Sequence, residues 1–194
     1  MDPDQDRVEP GSVDAWRAWL AEHHGRGRGV WLVTRRAAVG GTIGYEESVE
    51  QALCFGWVDS TARKLDDERS MLWFAPRKRG SGWARTNKAR IQRLTAAGLM
   101  APAGFAVIEA ARADGSWTLL DAVEDLIVPD DLAAALAAHP PAAEHWEAFP
   151  RSVKRAILEW IVHAKRPETR ANRVLDTAEK AQVGERANQW RPKS

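Results

Sequence analysis

ALCFGWVDSTARKLDDERSMLWFAPRKRGSGWARTN, residues 52–87, reads as the end of one helix, a β-hairpin and the start of a second helix. Trp57 to Leu65 forms the first strand, Asp66-Asp67-Glu68 supplies turn residues, and Ser70 to Pro76 returns as the second strand. Pro76 and the cluster Lys78-Arg79-Gly80-Ser81-Gly82 end the sheet. Three of the chain's ten Trp fall in this stretch beside a run of cations. Aromatic side chains interleaved with Arg are enriched where proteins recognise partners.

Upstream, Ser12 reads as the N-cap of a helix carrying Val13, Trp16, Trp19 and Leu20 at helical spacing and ending at Gly25. A Gly-x-Gly-x-Gly spacer leads into the β-rich Gly29-Val30-Trp31-Leu32-Val33-Thr34. Its glycines precede the strand and no Lys-Ser/Thr follows, so it is a flexible turn rather than a phosphate loop. After the turn Gly40-Gly41, a helix places Tyr45, Val49, Ala52, Leu53 and Gly56 on one stripe, with Glu46, Glu47 and Glu50 elsewhere.

Downstream, Trp83 to Ala97 reads as a helix stopped by Gly98, and Pro102 opens another that runs to about Ala113. Trp117 to Val128 is a looser link, and helices follow at 130–138, 142–149, 152–164 and 167–181. The expected fold is α+β: a small antiparallel sheet of about three strands packed with helices, then an all-helical C-terminal subdomain. The expected division is a disordered tip (1–12), an α+β domain (13–125), the helical subdomain (129–181) and a tail (182–194).

With 44% hydrophobic residues the chain of 194 can build a core. No run reaches the roughly 18 apolar residues of a membrane span. The start, MDPDQDRVEPG, is acidic where a secretory leader is basic, so a cytoplasmic location is expected. Cys54 is the only cysteine, which excludes an internal disulfide and a Cys-based zinc site. The five His are scattered, and neither a metal nor another cofactor is expected. Cys54 falls off its helix's core stripe near Glu47 and Glu50, which dull a thiol. No hydrolase or metalloprotease motif is present, so the chain leans away from catalysis. Net charge is +1, yet residues 77–93 hold seven Lys/Arg and no acid, and residues 109–147 hold nine Asp/Glu against Arg112.

Strict alternation would gather Trp57, Asp59, Arg63, Trp73 and Arg77 on one face of the hairpin. Those residues either line a site or leave Asp59 and Arg63 as a solvated ion pair. On the next helix Trp83, Asn87, Ile91 and Leu94 share a side, with Arg90 at its edge. The Asn87 amide needs partners there, from the hairpin loop or from a pocket it lines with Arg90. Ser81 is placed to cap this helix, and the same terminus, with Arg77, Lys78 and Arg79 before it, could hold a phosphate or carboxylate at Ser81 to Trp83. Lys165, Arg166 and Arg170, around Pro167, form a second cationic corner or cap helix ends.

The motifs Ala52 to Ser60, Phe74-Ala75-Pro76-Arg77, Ser81-Gly82-Trp83 with Asn87, Ala96 to Met100, and Ala164 to Arg170 are together similar to those of the YdeI/OmpD-associated (OmdA, bacteriocin-protection) family, from about Val30 to Val174. That resemblance implies a role in tolerating bacteriocins or cationic antimicrobial peptides and, by name, a link to an outer-membrane porin. It supplies no catalytic residues, and the acidic N-terminus argues against direct contact with a porin. The leading expectation is a non-catalytic cytoplasmic stress or antimicrobial-protection protein whose Trp/Arg face binds an anionic small molecule or a protein partner. The alternatives are nucleic-acid binding through residues 77–93, or an enzyme using Asp59 as base with Arg63 or Arg77.

Overall fold

A computed structural model describes residues 7–35, 40 and 43–188. Residues 1–6 of the expected tip, Gly41 of the expected turn and the tail beyond 188 lie outside the described residues. The elements are β1 (Arg7–Val8), α1 (Val13–His23), β2 (Val30–Arg35), α2 (Tyr45–Cys54), β3 (Trp57–Lys64), β4 (Arg69–Pro76), α3 (Arg85–Ala96), α4 (Pro102–Ala113), α5 (Asp121–Glu124), α6 (Asp130–Ala138), α7 (Ala142–Ala148), α8 (Arg151–Val162) and α9 (Pro167–Gln182). They form two compact units, one ending at Trp117 and the other beginning at Thr118.

The fold is α+β, and the described residues form a sheet of four strands in the order β1-β2-β4-β3. It is mixed rather than purely antiparallel, because Arg7 and Val8 pair parallel with Trp31 and Leu32. A two-residue strand has no periodicity to read, which is why these residues fell within the expected tip. Ser12 caps α1 as its sequence promised, its side chain accepting from Ala15 N at 3.1 Å.

Alternation along β2 divides the N-terminal unit into two layers. Val30 and Leu32 join Phe74, Trp57 and the inward faces of α1 to α4 in the main core, whereas Trp31 and Val33 meet Met71 and Trp73 on the other face. Two of the buried indoles donate their N–H groups: Trp16 to Ser48 O and Trp57 to His24 O.

α4 seats tightly on the corner between α2 and β3. Ala101 N donates to Cys54 O at 3.0 Å, and a Cβ on Gly104 would lie 2.3 Å from that same oxygen. α4 thereby covers Cys54, which is fully buried rather than off the core stripe of its helix, with the Glu50 charge still acting on it as expected. Burial pushes its thiol pKa up, with a neighbouring Arg17 pulling the other way. Tyr45, expected in the apolar stripe, is 57% exposed because it stands at the first turn of α2, where its hydroxyl reaches Asp59.

In the C-terminal unit, α5 to α9 enclose Leu132, Leu136, Trp146, Ile157, Ile161 and Val174. The unit begins earlier than residue 129 because Leu120 and Val123 belong to this core. Ala187, expected in the tail, is buried there too.

Gly104→Ala tests the α2–α4 contact with opposing terms. Helix propensity alone favours Ala by about 1 kcal/mol, while overpacking against backbone costs about 1–3 kcal/mol. We expect a net loss of stability in urea denaturation; a gain would mean that α4 does not sit this close to Cys54.

Candidate functional site

The hairpin register separates residues that strict alternation would unite. Trp57 pairs with Pro76 and Asp59 with Phe74, but Ala62 pairs with Leu72 and Arg63 with Met71, so β3 carries an extra residue between Asp59 and Ala62. That bulge reverses the facing of everything after it. Trp57 and Asp59 therefore lie on the Phe74 face, and Arg63 and Trp73 lie on the opposite one. Trp57 is 1% exposed, edge-on to Trp19, and is a core residue rather than a lining one. Arg63 sits over the Trp31 ring at 5.1 Å, and Trp73 packs against the same ring at 5.2 Å.

A different set converges just past the end of β4. The Arg77 N–H donates to Gly56 O at 3.0 Å, which holds this residue at the corner where α2 meets β3. Its guanidinium carbon lies 3.7 Å from the centroid of the Trp83 ring, and Nη2 donates to Gly82 O. Nε is buried with no hydrogen-bond partner. Among the described residues no carboxylate comes within ion-pair distance of this side chain. Burial pushes its pKa down to about 10, with the Asp59 charge pulling upward, so it remains cationic at neutral pH.

Arg77, Lys78, Arg79, Gly80, Ser81 and Trp83 form one side of a cavity of about 330 Å³. Ala106, Val107, Ala110 and Ala111 of α4, with Asp114 and Ser116, form the other. Trp83, 2% exposed, closes its base against Trp117 at 5.1 Å. Among the described residues Asp114 is the one lining carboxylate, and it is already engaged: it accepts from Ser116 N at 3.0 Å and faces Arg79 at 3.7 Å. The hydrogen bonds from Ser116, then Arg79, hold its acid below the usual range.

Ser81 does not cap α3, which begins at Arg85 after Ala84. Trp83, apolar and in helical phase, made the helix read longer than it is; it is a loop residue turned into the core. Ser81 Oγ instead donates to Lys78 O at 2.7 Å, within a turn whose N–H of Ser81 also returns to Lys78 O. Gly80 has φ +75°, the third-residue conformation of a type II turn. The cluster at Ser81 to Trp83 is thus a cavity wall, not a helix N-terminus.

Asn87 and Arg90 belong to a separate network. Arg90 donates to Asn87 Oδ1 at 2.7 Å and to both Glu46 carboxylate oxygens at 2.9 and 2.5 Å. Arg93 reaches Glu50 at 2.7 Å and Glu46 at 3.3 Å. The Asn87 amide thus orients a guanidinium that clamps α3 to α2. Tyr45 donates to Asp59 at 2.9 Å beside them, and burial followed by that carboxylate raises the phenol's pKa.

The cationic corner of the C-terminal unit is divided as well. Arg170 grips Asp131 through two bonds of 2.8 and 3.0 Å, joining α9 to α6, while Lys165 and Arg166 stay exposed. Of the expected ligand residues, the structure brings together Arg77, Ser81 and Trp83, with Asp59 coupled to Arg77 through space. The α4 wall is what sequence reasoning missed. Its Ala and Val residues look like any helix core, and Asp114-Gly115 reads only as a helix stop. Among the described residues no group of three or more His, Cys, Asp or Glu could hold a metal ion, and no helix is long and apolar enough to cross a membrane.

Residues 8–107 match the family model of a domain of unknown function (DUF8412), just over half of the 194 residues. The chain belongs to that family. Residues 125–184 match a second family model, described as "Bacteriocin-protection, YdeI or OmpD-Associated". The resemblance stated from sequence is thus borne out over the C-terminal unit. Of its motifs, Ala164 to Arg170 fall within that match, and those of the hairpin and of Ser81 to Met100 fall within the DUF8412 match. No curated protein and no solved structure gives a significant match.

The Arg170–Asp131 pair gives a test with a defined sign. Arg170 holds the Asp131 pKa below its ordinary value, so the stabilisation is full above the unfolded value of about 4 and fades as pH falls through the lower folded one. Both groups are partly exposed, which limits the pair to roughly 1 kcal/mol or less. Arg170→Met should lower the melting temperature at pH 7 and make little difference at pH 2; an equal loss at both would assign the effect to packing.

Proposed function

We propose that this DUF8412 member is a non-catalytic binding protein that takes a small anion at Arg77 and serves antimicrobial or stress protection through it. The observation that carries the reading is the state of the Arg77 guanidinium: charged, largely desolvated, stacked on Trp83, and with Nε unpartnered. Leaving a buried charge without a counter-ion is destabilising by several kcal/mol, and an arriving anion removes that penalty. Lys78 and Arg79 at the exposed rim add a field that attracts such a ligand.

Binding is favoured over catalysis by what surrounds the cation. The Ser81 hydroxyl donates to a backbone carbonyl, and Asp114 is occupied by Ser116 and Arg79, so neither stands as a free nucleophile or base. Nucleic-acid binding through residues 77–93 is disfavoured because Arg90 and Arg93 are already neutralised by Glu46 and Glu50. The link to bacteriocin protection is supported by the family match at residues 125–184. The single, buried, unpaired Cys54 suits a reducing compartment, and the proposal places the protein in the cytoplasm.

Arg77→Met separates binding from folding. Replacing a desolvated charge by an aliphatic chain is often neutral or stabilising, which offsets the lost bond to Gly82 O. The variant should melt within a few degrees of the wild type yet gain nothing from anions. The wild type, at an anion concentration of 100 Kd, should gain about 2.7 kcal/mol. Anion-induced shifts that survive in the variant would end this reading.

A further inference from the structure

We infer that the Arg77 cavity takes a carboxylate carried on a small apolar body, rather than an inorganic anion or a length of polymer. This rests on the anion-binding reading and adds the ligand's chemical class. Size comes first. A space of about 330 Å³ lies at the low end of the roughly 300–1,000 Å³ of small-molecule sites, too small for a folded segment or a nucleic-acid strand. At about 30 Å³ per liquid water it replaces on the order of ten waters, so a ligand of comparable heavy-atom count fills it.

Polarity comes second, and it is one-sided. One wall carries the partly buried Arg77 guanidinium, a fixed charge suited to one acidic headgroup. Opposite it, α4 presents Ala106, Val107 and Ala110, which offer no hydrogen bond to a second polar group. A free inorganic anion would engage the cations of one wall and leave the methyl groups of the other without an apolar contact. An aliphatic or aromatic body makes those contacts favourable.

The wall is also fixed in place, so the space does not simply collapse. Val107 abuts Gly56, where an added Cβ would come within 2.6 Å of it, and Gly104 lies equally close on Cys54 O. Beside Arg79 the lining includes Asp114, a carboxylate already engaged by Ser116 and Arg79. That carboxylate disfavours a second negative charge on the ligand, which points to a monoanion.

The test is calorimetric titration of the full chain with acetate, hexanoate, phenylacetate and inorganic phosphate. Variants are Arg77→Met, Ala110→Leu to fill the wall, and Ala106→Leu at an exposed position where folding is spared. A buried methylene contributes about fourfold in affinity, so hexanoate or phenylacetate should bind at least tenfold more tightly than acetate. Both wall variants should erase that advantage, and Arg77→Met should abolish all binding. If acetate, phosphate and hexanoate bind alike and all depend on Arg77, the apolar-body inference is overturned and the anion reading stands. If hexanoate binds best but ignores Ala106→Leu and Ala110→Leu, the α4 wall is not its site and the inference falls. If none of the four binds, both readings fall.

Discussion

The stack of Arg77 on Trp83 constrains the N-terminal unit at three points. Backbone hydrogen bonding anchors Arg77 to Gly56, at the turn from α2 into β3. The indole beneath it fills the core and delays the start of α3 to Arg85. Between the two, residues 78–82 must arch over the stack, which the positive φ of Gly80 permits. Taking the charge away from water is what makes the arrangement costly, and the cavity beside it is what makes that cost useful.

α4 supplies the second half of the site by a largely steric route. Its close seating on Cys54 O requires glycine at 104, and its contact with the corner requires glycine at 56. The cavity wall is therefore positioned by two absent side chains together with the Ala101 N–H bond to Cys54 O. Ion pairs do a different job. Glu46 and Glu50 with Arg90 and Arg93 hold α3 against α2, and partial exposure keeps each of those pairs weak. The network sets where α3 runs without contributing to the cavity.

Sequence alone disclosed the order of elements well, and the site only in part. The C-terminal helices were readable because Asp130 and Pro167 mark starts and the apolar spacing between is regular. The hairpin was readable as an element, but its facing was not. The bulge between Asp59 and Ala62 carries no glycine or proline signal, and one extra residue turns Arg63 and Trp73 away from Trp57. Tryptophan was the other source of error. An indole suits a binding face or a core equally by composition, and only the packed structure shows Trp57 and Trp83 buried. Asn87 illustrates the opposite case: an amide within an apolar stripe must find a partner, and it found Arg90.

The most direct measurement is the side-chain ¹H–¹⁵Nε spectrum of Arg77 in the free protein and during addition of phenylacetate. The account requires a slowly exchanging Nε–H in the free state, consistent with burial, that shifts strongly on saturation while the Arg90 and Arg170 signals stay still. An Arg77 resonance that exchanges as fast as exposed arginines, or that does not move while another arginine does, would contradict it.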